Sequence, residues 1–176
     1  MISIMSEWTQ IFDAAPVLEV EKGTTLFHRE DRVRYMFLVR SGTIALERPM
    51  EDGSALTLHM ASRGMGLAEA SLFSDTYHCD AVARTHATVA RLARADFLAA
   101  LRERPEAALS LIKTHARDVQ SQRARIEILR LRRVADRLDA WLDLHGDPPK
   151  GGWTAVAEQI GVSPPALYRE LARRRR

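Results

Sequence analysis

Apolar and polar residues alternate over much of the first hundred positions. Val17-Leu18-Glu19-Val20-Glu21 presents an apolar face at every second residue and stops at Lys22-Gly23. Thr24–Phe27 follows, then the β-rich run Tyr35–Val39, broken by Ser41-Gly42. Thr43–Leu46 resumes the pattern until Pro49 and Gly53, and Ala55–Met60 alternates again. Beyond a loop around Gly64 and Gly66 come Ala81–Ala83 and Ala87–Leu92. Short strands at this spacing, punctuated by Gly and Pro, predict an antiparallel sandwich or barrel.

At Arg94 the period changes from two to about 3.6. Asp96 is placed to cap a short helix over Phe97–Leu101. Pro105 suits the first turn of a longer one, where its missing N–H costs nothing. No Gly or Pro interrupts the chain from Glu106 to Leu131. Leu109, Ile112, Ala116, Val119 and Ile126 recur there at spacings of three, four or seven. Such a stripe calls for a partner along its length, and a second copy of the helix would supply one. Val134, Leu138, Trp141 and Leu142 mark a further helix, and Gly146–Gly152 is a Pro/Gly connector.

Composition narrows the class. The 176 residues are 46% hydrophobic and 28% charged, which is globular. No apolar run approaches the ~20 residues that span a bilayer, and the start lacks the basic and apolar regions of a secretory signal. The single cysteine, Cys79, rules out an intrachain disulfide framework or a multi-cysteine metal cluster. The cytoplasm is the expected compartment, with no membrane partner. Charge is uneven. Residues 1–112 hold 12 basic and 15 acidic side chains, whereas residues 113–176 hold 14 and 8. A basic second part fits a polyanion partner, although a solvated arginine-rich helix face has the same composition.

The sharpest local motif covers residues 153–172. Trp153–Ile160 reads as one helix, Gly161-Val162-Ser163 as a tight turn, and Pro164–Ala172 as a second helix. Ala157 is small where the helices cross, Gly161 is free to adopt a left-handed backbone, and Ser163 followed by Pro164 is an N-cap signature. Val156, Ile160, Val162, Leu167 and Leu171 provide a mini-core. Tyr168, Arg169 and Arg173 then fall on polar faces. This arrangement suits a helix-turn-helix that reads double-stranded DNA, with Arg169 offering a fork to guanine and Ser163, Tyr168, Arg173 and Arg174 as further contacts. The four arginines 173–176 would meet phosphates without reading sequence.

Taken together, the order of these pieces resembles the Crp/Fnr family of transcription regulators. The resemblance runs from about Val17 to Ala172. It rests on Lys22-Gly23-x-x-Leu26-Phe27, Asp31, Tyr35-x-Phe37-Leu38-Val39-x-Ser41-Gly42-x-Ile44, the loop Gly64–Phe73, the long helix and the terminal motif. It implies an α+β fold: an N-terminal antiparallel β-roll of the cyclic-nucleotide-binding type (residues 1–104), a dimerisation helix (105–131) and a helical DNA-binding domain (132–176). The dimer would pack along Leu109, Ile112, Ala116, Val119 and Ile126. RNA polymerase is a further partner of such regulators, and the effector would be a small molecule of unidentified chemistry.

The chain departs from the family pattern in three places. Counted from Phe73, the Arg-Ser pair that holds a cyclic phosphate becomes Cys79-Asp80, which removes a guanidinium and adds a repulsive carboxylate. Glu69, the family's ribose-hydroxyl acceptor, is present. On the dimer helix the adenine-contacting pair reads Gln122-Arg123. The expectation is therefore a pocket of Glu69, Ser71, Cys79, Asp80, Gln122 and Arg123 that does not bind cAMP in the usual way. In the reader helix, Pro164-Pro165 replaces polar base contacts, leaving Arg169 and DNA shape to carry specificity. Finally, the sequence ends at Arg176, where the wing hairpin would begin, so a reader without a complete wing is expected.

His78 and Cys79 invite a haem or redox reading. Adjacent residues on an extended segment face opposite ways, so the two would not share one metal. Asp80 should also raise the neighbouring thiol's pKa. The other reading of Cys79 is a small buried hydrophobe. Glu69, Ser71 and His78 could be drawn as a hydrolase triad, but no nucleophile elbow or phosphate loop accompanies them, and no enzyme is expected. The alternatives to the ligand-controlled DNA-binding regulator are a haem- or redox-responsive regulator using Cys79 or His78 and a signalling module that does not bind DNA.

Overall fold

The computed structural model describes residues 6–51, 53 and 55–174. It separates into two compact units, residues 1–112 and 113–176. Among its described residues the first contains eight strands: β1 (Val17–Val20), β2 (Thr25–Phe27), β3 (Tyr35–Ser41), β4 (Ile44–Pro49), β5 (Ala55–Ala61), β6 (Gly66–Leu67), β7 (Asp80–Ala83) and β8 (Ala87–Ala93). They pair antiparallel in two four-stranded sheets, ordered β1-β8-β3-β6 and β2-β7-β4-β5. The alternating pattern predicted an antiparallel sandwich or barrel, and the two sheets take the β-roll form that the family resemblance implied. The sequence pattern did not disclose the two-residue β6 or the 3₁₀ helix Glu7–Phe12, which are too short to show a period.

Helix α1 (Arg94–Glu103) begins earlier than expected, with Ala93 rather than Asp96 at its N-cap. Arg94 is held at this start by its own contacts: its N–H donates to Arg34 O at 2.9 Å and its Nε to Leu72 O at 2.8 Å. Asp96 falls in the first turn, where its charge faces the positive helix end. Helix α2 (Pro105–Arg130) spans the division between the units. The second unit adds α3 (Val134–His145), α4 (Trp153–Gln159) and α5 (Pro164–Arg174).

The first unit closes around one apolar core that extends from Trp8 and Phe12 through the sheets to Phe97, Ala107 and Leu111. Aromatic contacts organise it. Phe12 meets Phe97 with ring centroids 5.4 Å apart, and Phe27 stacks on Tyr77 at 3.9 Å. The Tyr77 hydroxyl donates to Tyr35 O at 2.9 Å and accepts from Tyr35 N at 3.2 Å, so the loop before β7 is fastened to the start of β3. In the second unit the core is smaller: Ile128, Leu138, Trp141, Val156, Ala157, Ile160 and Leu167, with Val162 and Leu171 packed against it.

Candidate functional site

In the first unit, the loop after β6 carries the sensor candidates. Ala68 adopts a left-handed backbone (φ 73°), uncommon for a residue with a Cβ, and turns the chain into the 3₁₀ helix Glu69–Ser71. Gly66 lets the Trp8 ring in: a Cβ there would stand 2.9 Å from Trp8 Cη2 and 3.3 Å from Glu69 Oε2. Glu69 Oε2 is thus enclosed, and among the described residues it has no hydrogen-bond partner. An orphaned acceptor of this kind is costly unless something donates to it.

Cys79 is 1% exposed and belongs to the apolar core. Burial pushes its thiol up to about 11, reinforced by the negative charges of Asp80 and Glu69 and opposed by Arg48. The thiol therefore stays protonated at neutral pH, which disfavours a thiolate ligand or redox nucleophile. His78 is exposed, so the two neighbours do face opposite ways. Among the described residues no group of three or more His, Cys, Asp or Glu side chains could hold a metal ion.

Ser71 and His78 do meet, with Oγ and Nδ1 2.8 Å apart. The serine is buried, and the enclosed Glu69 Oε2 has no hydrogen-bond partner among the described residues. Asp80 is engaged elsewhere: it accepts the Arg29 backbone N–H at 2.6 Å, with His28 Nδ1 3.9 Å from its other oxygen. Glu69, Cys79 and Asp80 therefore share one electrostatic neighbourhood. Arg48 is in it too, and the sequence reading missed it by ending the strand at Leu46. Its signal was the two-residue alternation that continues from Ile44 and Leu46 to 48. Gln122 and Arg123 lie on the part of α2 that belongs to the second unit, and both are exposed.

The stripe on α2 is open to solvent. Leu109, Ile112, Val119 and Ile126 are all about half exposed or more, and Ala116 is exposed with them. Apolar residues at these spacings, uncovered on one helix, form a face that lacks a partner.

In the second unit, α4 ends in a Schellman turn: Val162 N donates to Ala157 O at 2.9 Å and Gly161 N to Glu158 O at 3.2 Å. Gly161 takes φ 66°, and a Cβ on it would stand 2.7 Å from Leu129 Cδ2, so this position needs glycine twice over. Ser163 holds the N-cap position of α5, its carbonyl accepting from Ala166 and Leu167. Leu167 is fully buried, and this turns Tyr168 and Arg169 outward; Tyr168 is 49% exposed.

Two arginines fasten this turn. Arg137 donates to four carbonyls: Leu131 O (2.7 Å), Ile160 O (3.1 Å), Leu129 O (3.2 Å) and Gly161 O (3.3 Å). One cation thus satisfies orphan acceptors at the ends of both α2 and α4. Arg125 adds bonds to Gln159 O and Glu158 O. Neither role is readable from sequence, since both arginines look like part of a solvated basic face.

The cations on α5 differ in availability. Arg173 grips Glu170 through two bonds, 2.9 and 3.0 Å. Arg174 reaches Asp139 at 2.6 Å, Ala135 O at 3.0 Å and Glu170 at 3.0 Å, tying α5 to α3. Hydrogen bonds from Arg173 and then Arg174 hold the Glu170 carboxyl below its usual range. Arg169 forms no ion pair among the described residues. Arg175 and Arg176, expected to contact phosphates, lie outside the described residues.

The family comparison matches residues 17–104 to the cyclic nucleotide-binding domain. No curated protein matches the chain. Among solved structures, the c-di-GMP-responsive global regulator CLP of Xanthomonas campestris is 16% identical, with a TM-score of 0.69 over 96% of this chain and 90% of that one. The Thermus thermophilus catabolite activator protein is 22% identical, with a TM-score of 0.57 over 94% and 81%. A transcriptional regulator of Thermotoga maritima is 21% identical, with a TM-score of 0.57 over 65% and 92%. At these identities the structures speak for the fold alone, and the family rests on the domain match. The chain belongs to the cyclic nucleotide-binding domain family and has the fold of Crp/Fnr-type transcription regulators.

Proposed function

We propose that this protein is a homodimeric, DNA-binding transcription regulator of Crp/Fnr type that works in the cytoplasm. In this reading residues 1–104 are the sensor, 105–131 the dimerisation helix and 132–176 the DNA-binding domain. Helix α5 enters the major groove as the second helix of a helix-turn-helix. The observation that carries the reading is Arg169: an exposed cation with no ion pair among the described residues, on a helix whose seat is set by Leu167 and the Arg137 clamp. A free guanidinium beside a rigid turn is what bidentate guanine recognition needs. The net positive charge of residues 113–176 supports the same partner.

Tyr168 stands beside Arg169 as a phosphate or base contact, and Ser163 sits at the groove-facing start of α5. Arg173 and Arg174 meet phosphates only in competition with Glu170 and Asp139, so their contribution is weaker than their charge implies. The second copy covers Leu109, Ile112, Ala116, Val119 and Ile126, which presents two reader helices to two half-sites. Effector control enters through the Glu69 pocket, and RNA polymerase is the partner in transcription.

The test is fluorescence anisotropy with duplex DNA from the protein's own upstream region against random duplex, across a salt series. The expected result is tighter binding to the upstream duplex. Arg169→Ala should cost about 1–3 kcal/mol per half-site on that duplex and little on random DNA. Unchanged discrimination between the duplexes would remove Arg169 from base reading, and a monomer in sedimentation would remove the dimer.

A further inference from the structure

Helix α5 carries two arginines beyond Arg169 whose heads are already engaged. Arg173 grips Glu170 as a fork, Nε donating to Oε2 at 3.0 Å and Nη2 to Oε1 at 2.9 Å. Arg174 donates from Nε to the same Oε1 at 3.0 Å. Its other two nitrogens reach α3: Nη1 donates to Asp139 at 2.6 Å and Nη2 to Ala135 O at 3.0 Å. One carboxylate thus takes three charge-assisted bonds from two cations, and a second carboxylate shares Arg174. An isolated exposed ion pair contributes little; a fork within a network is the exception. The Glu170 side chain is 11% exposed and that of Arg173 71%. The acceptor is held beneath the surface, while the cation it grips lies in the open.

Helical spacing says where that grip acts. Residues four apart lie one above the other, so Arg173 stands one turn beyond Arg169 on the same face of α5. Glu170 and Arg174 form the next row, and Arg174 ties that row to α3. Glu170 therefore draws the Arg173 guanidinium off the Arg169 face. Of the three arginines described on α5, Arg169 alone forms no ion pair among the described residues. The helix shows less free charge than its sequence carries.

We propose that Glu170 is a specificity-determining residue for DNA, because it withholds Arg173 and Arg174 from the phosphates that every duplex offers. Binding to random DNA is almost wholly electrostatic, and a loose complex is free to place any unpaired cation on a phosphate. A reader helix seated by base contacts is fixed in position and gains less from one more cation. Releasing the two arginines therefore favours random DNA over the cognate site. This inference rests on the DNA-binding reading and deepens it.

The experiment is fluorescence anisotropy of the full chain with the upstream and random duplexes, each across a salt series. Glu170→Gln should tighten random duplex about threefold to tenfold near 0.1 M salt and steepen its salt slope by about one. The upstream duplex should gain less, so the ratio of the two affinities falls about twofold or more. Asp143→Asn, an exposed change on α3, alters the net charge equally without releasing an arginine, and should shift both duplexes alike by less than about twofold. In an Arg173→Gln background the effect of Glu170→Gln should shrink by at least about half. Circular dichroism verifies the helices of each variant. Arg173→Gln alone is a second test that leaves Glu170 in place: a cation already withheld should cost random duplex less than about threefold. The proposal is overturned if Glu170→Gln acts no differently from Asp143→Asn, if the ratio holds or rises, or if Arg173→Gln alone costs tenfold. In those cases a wild-type chain that still prefers the upstream duplex keeps the regulator reading intact. Equal binding of both duplexes by wild type and by Glu170→Gln overturns that reading and the proposal together.

Discussion

The first unit encloses a continuous apolar cluster of 25 buried residues among those described, while the second has seven. Beyond its strand ladders, the β-roll is secured by volume: two sheets and α1 close over rings and aliphatic side chains. The helical unit is too small to do this and adds charge-assisted hydrogen bonds from arginine to helix-end carbonyls. The small helical unit therefore leans more on polar geometry, whereas the larger β unit leans more on packing. The difference also separates two uses of arginine: Arg137 is structural and half-buried, while Arg169 is exposed and forms no ion pair among the described residues.

The sharpest way to break this comparison is to cut each unit at its own support. Phe97→Ala removes a ring that is 1% exposed and packed on Phe12, and should destabilise the first unit by about 3–5 kcal/mol in denaturant unfolding. A loss below about 1 kcal/mol would mean that the cluster is looser than its burial implies. Arg137→Ala should cost the second unit about 2–3 kcal/mol by leaving carbonyls of both α2 and α4 unpaired, with the first unit unaffected. Hydrogen exchange resolved by segment would read this as faster exchange in α4 and α5. Unchanged exchange there would show that the seven apolar residues suffice alone.

Two smaller effects concern the loop after β6 and the neighbouring Cys79 thiol. Ala68→Gly relieves a left-handed backbone and should raise the melting temperature by an amount equivalent to about 1 kcal/mol. A fall would show that the Ala68 methyl group matters more than its strain. The Cys79 thiol, pushed up to about 11 by burial, gives a pH signature. The unfolded thiol loses its proton near 9 while the folded one keeps it. Above that pH the unfolded state holds fewer protons, so stability should decline from about pH 9 toward 11 and not below. Cys79→Ala should flatten that alkaline decline. At pH 8 the native thiol should react with a soluble disulfide reagent far more slowly than the denatured thiol.

Strand and helix boundaries were legible because burial imposes a period. Tyr35–Ser41 and Ala87–Ala93 appear as strands near the positions where alternation placed them, and Pro105 opens α2. The Gly161 turn was legible as well, since only a left-handed backbone links two helices so tightly. Asp96 misled because a capping propensity is local, while the helix start was set by the distant carbonyls of Arg34 and Leu72.

What the sequence determined by itself is thus the repertoire: an antiparallel sandwich or barrel of short strands, a long helix with an apolar stripe, and two short helices about a glycine turn. Periodicity, turn chemistry and charge all act within a few residues, so they survive in one dimension. Only the tertiary structure decided which arginines are free. Arg137, Arg173 and Arg174 are engaged by groups 3 to 39 residues away. A long flexible cation carries no local signature of its partner. Its role follows from the carbonyls and carboxylates that folding brings within reach, and register between strands or crossing between helices sets that.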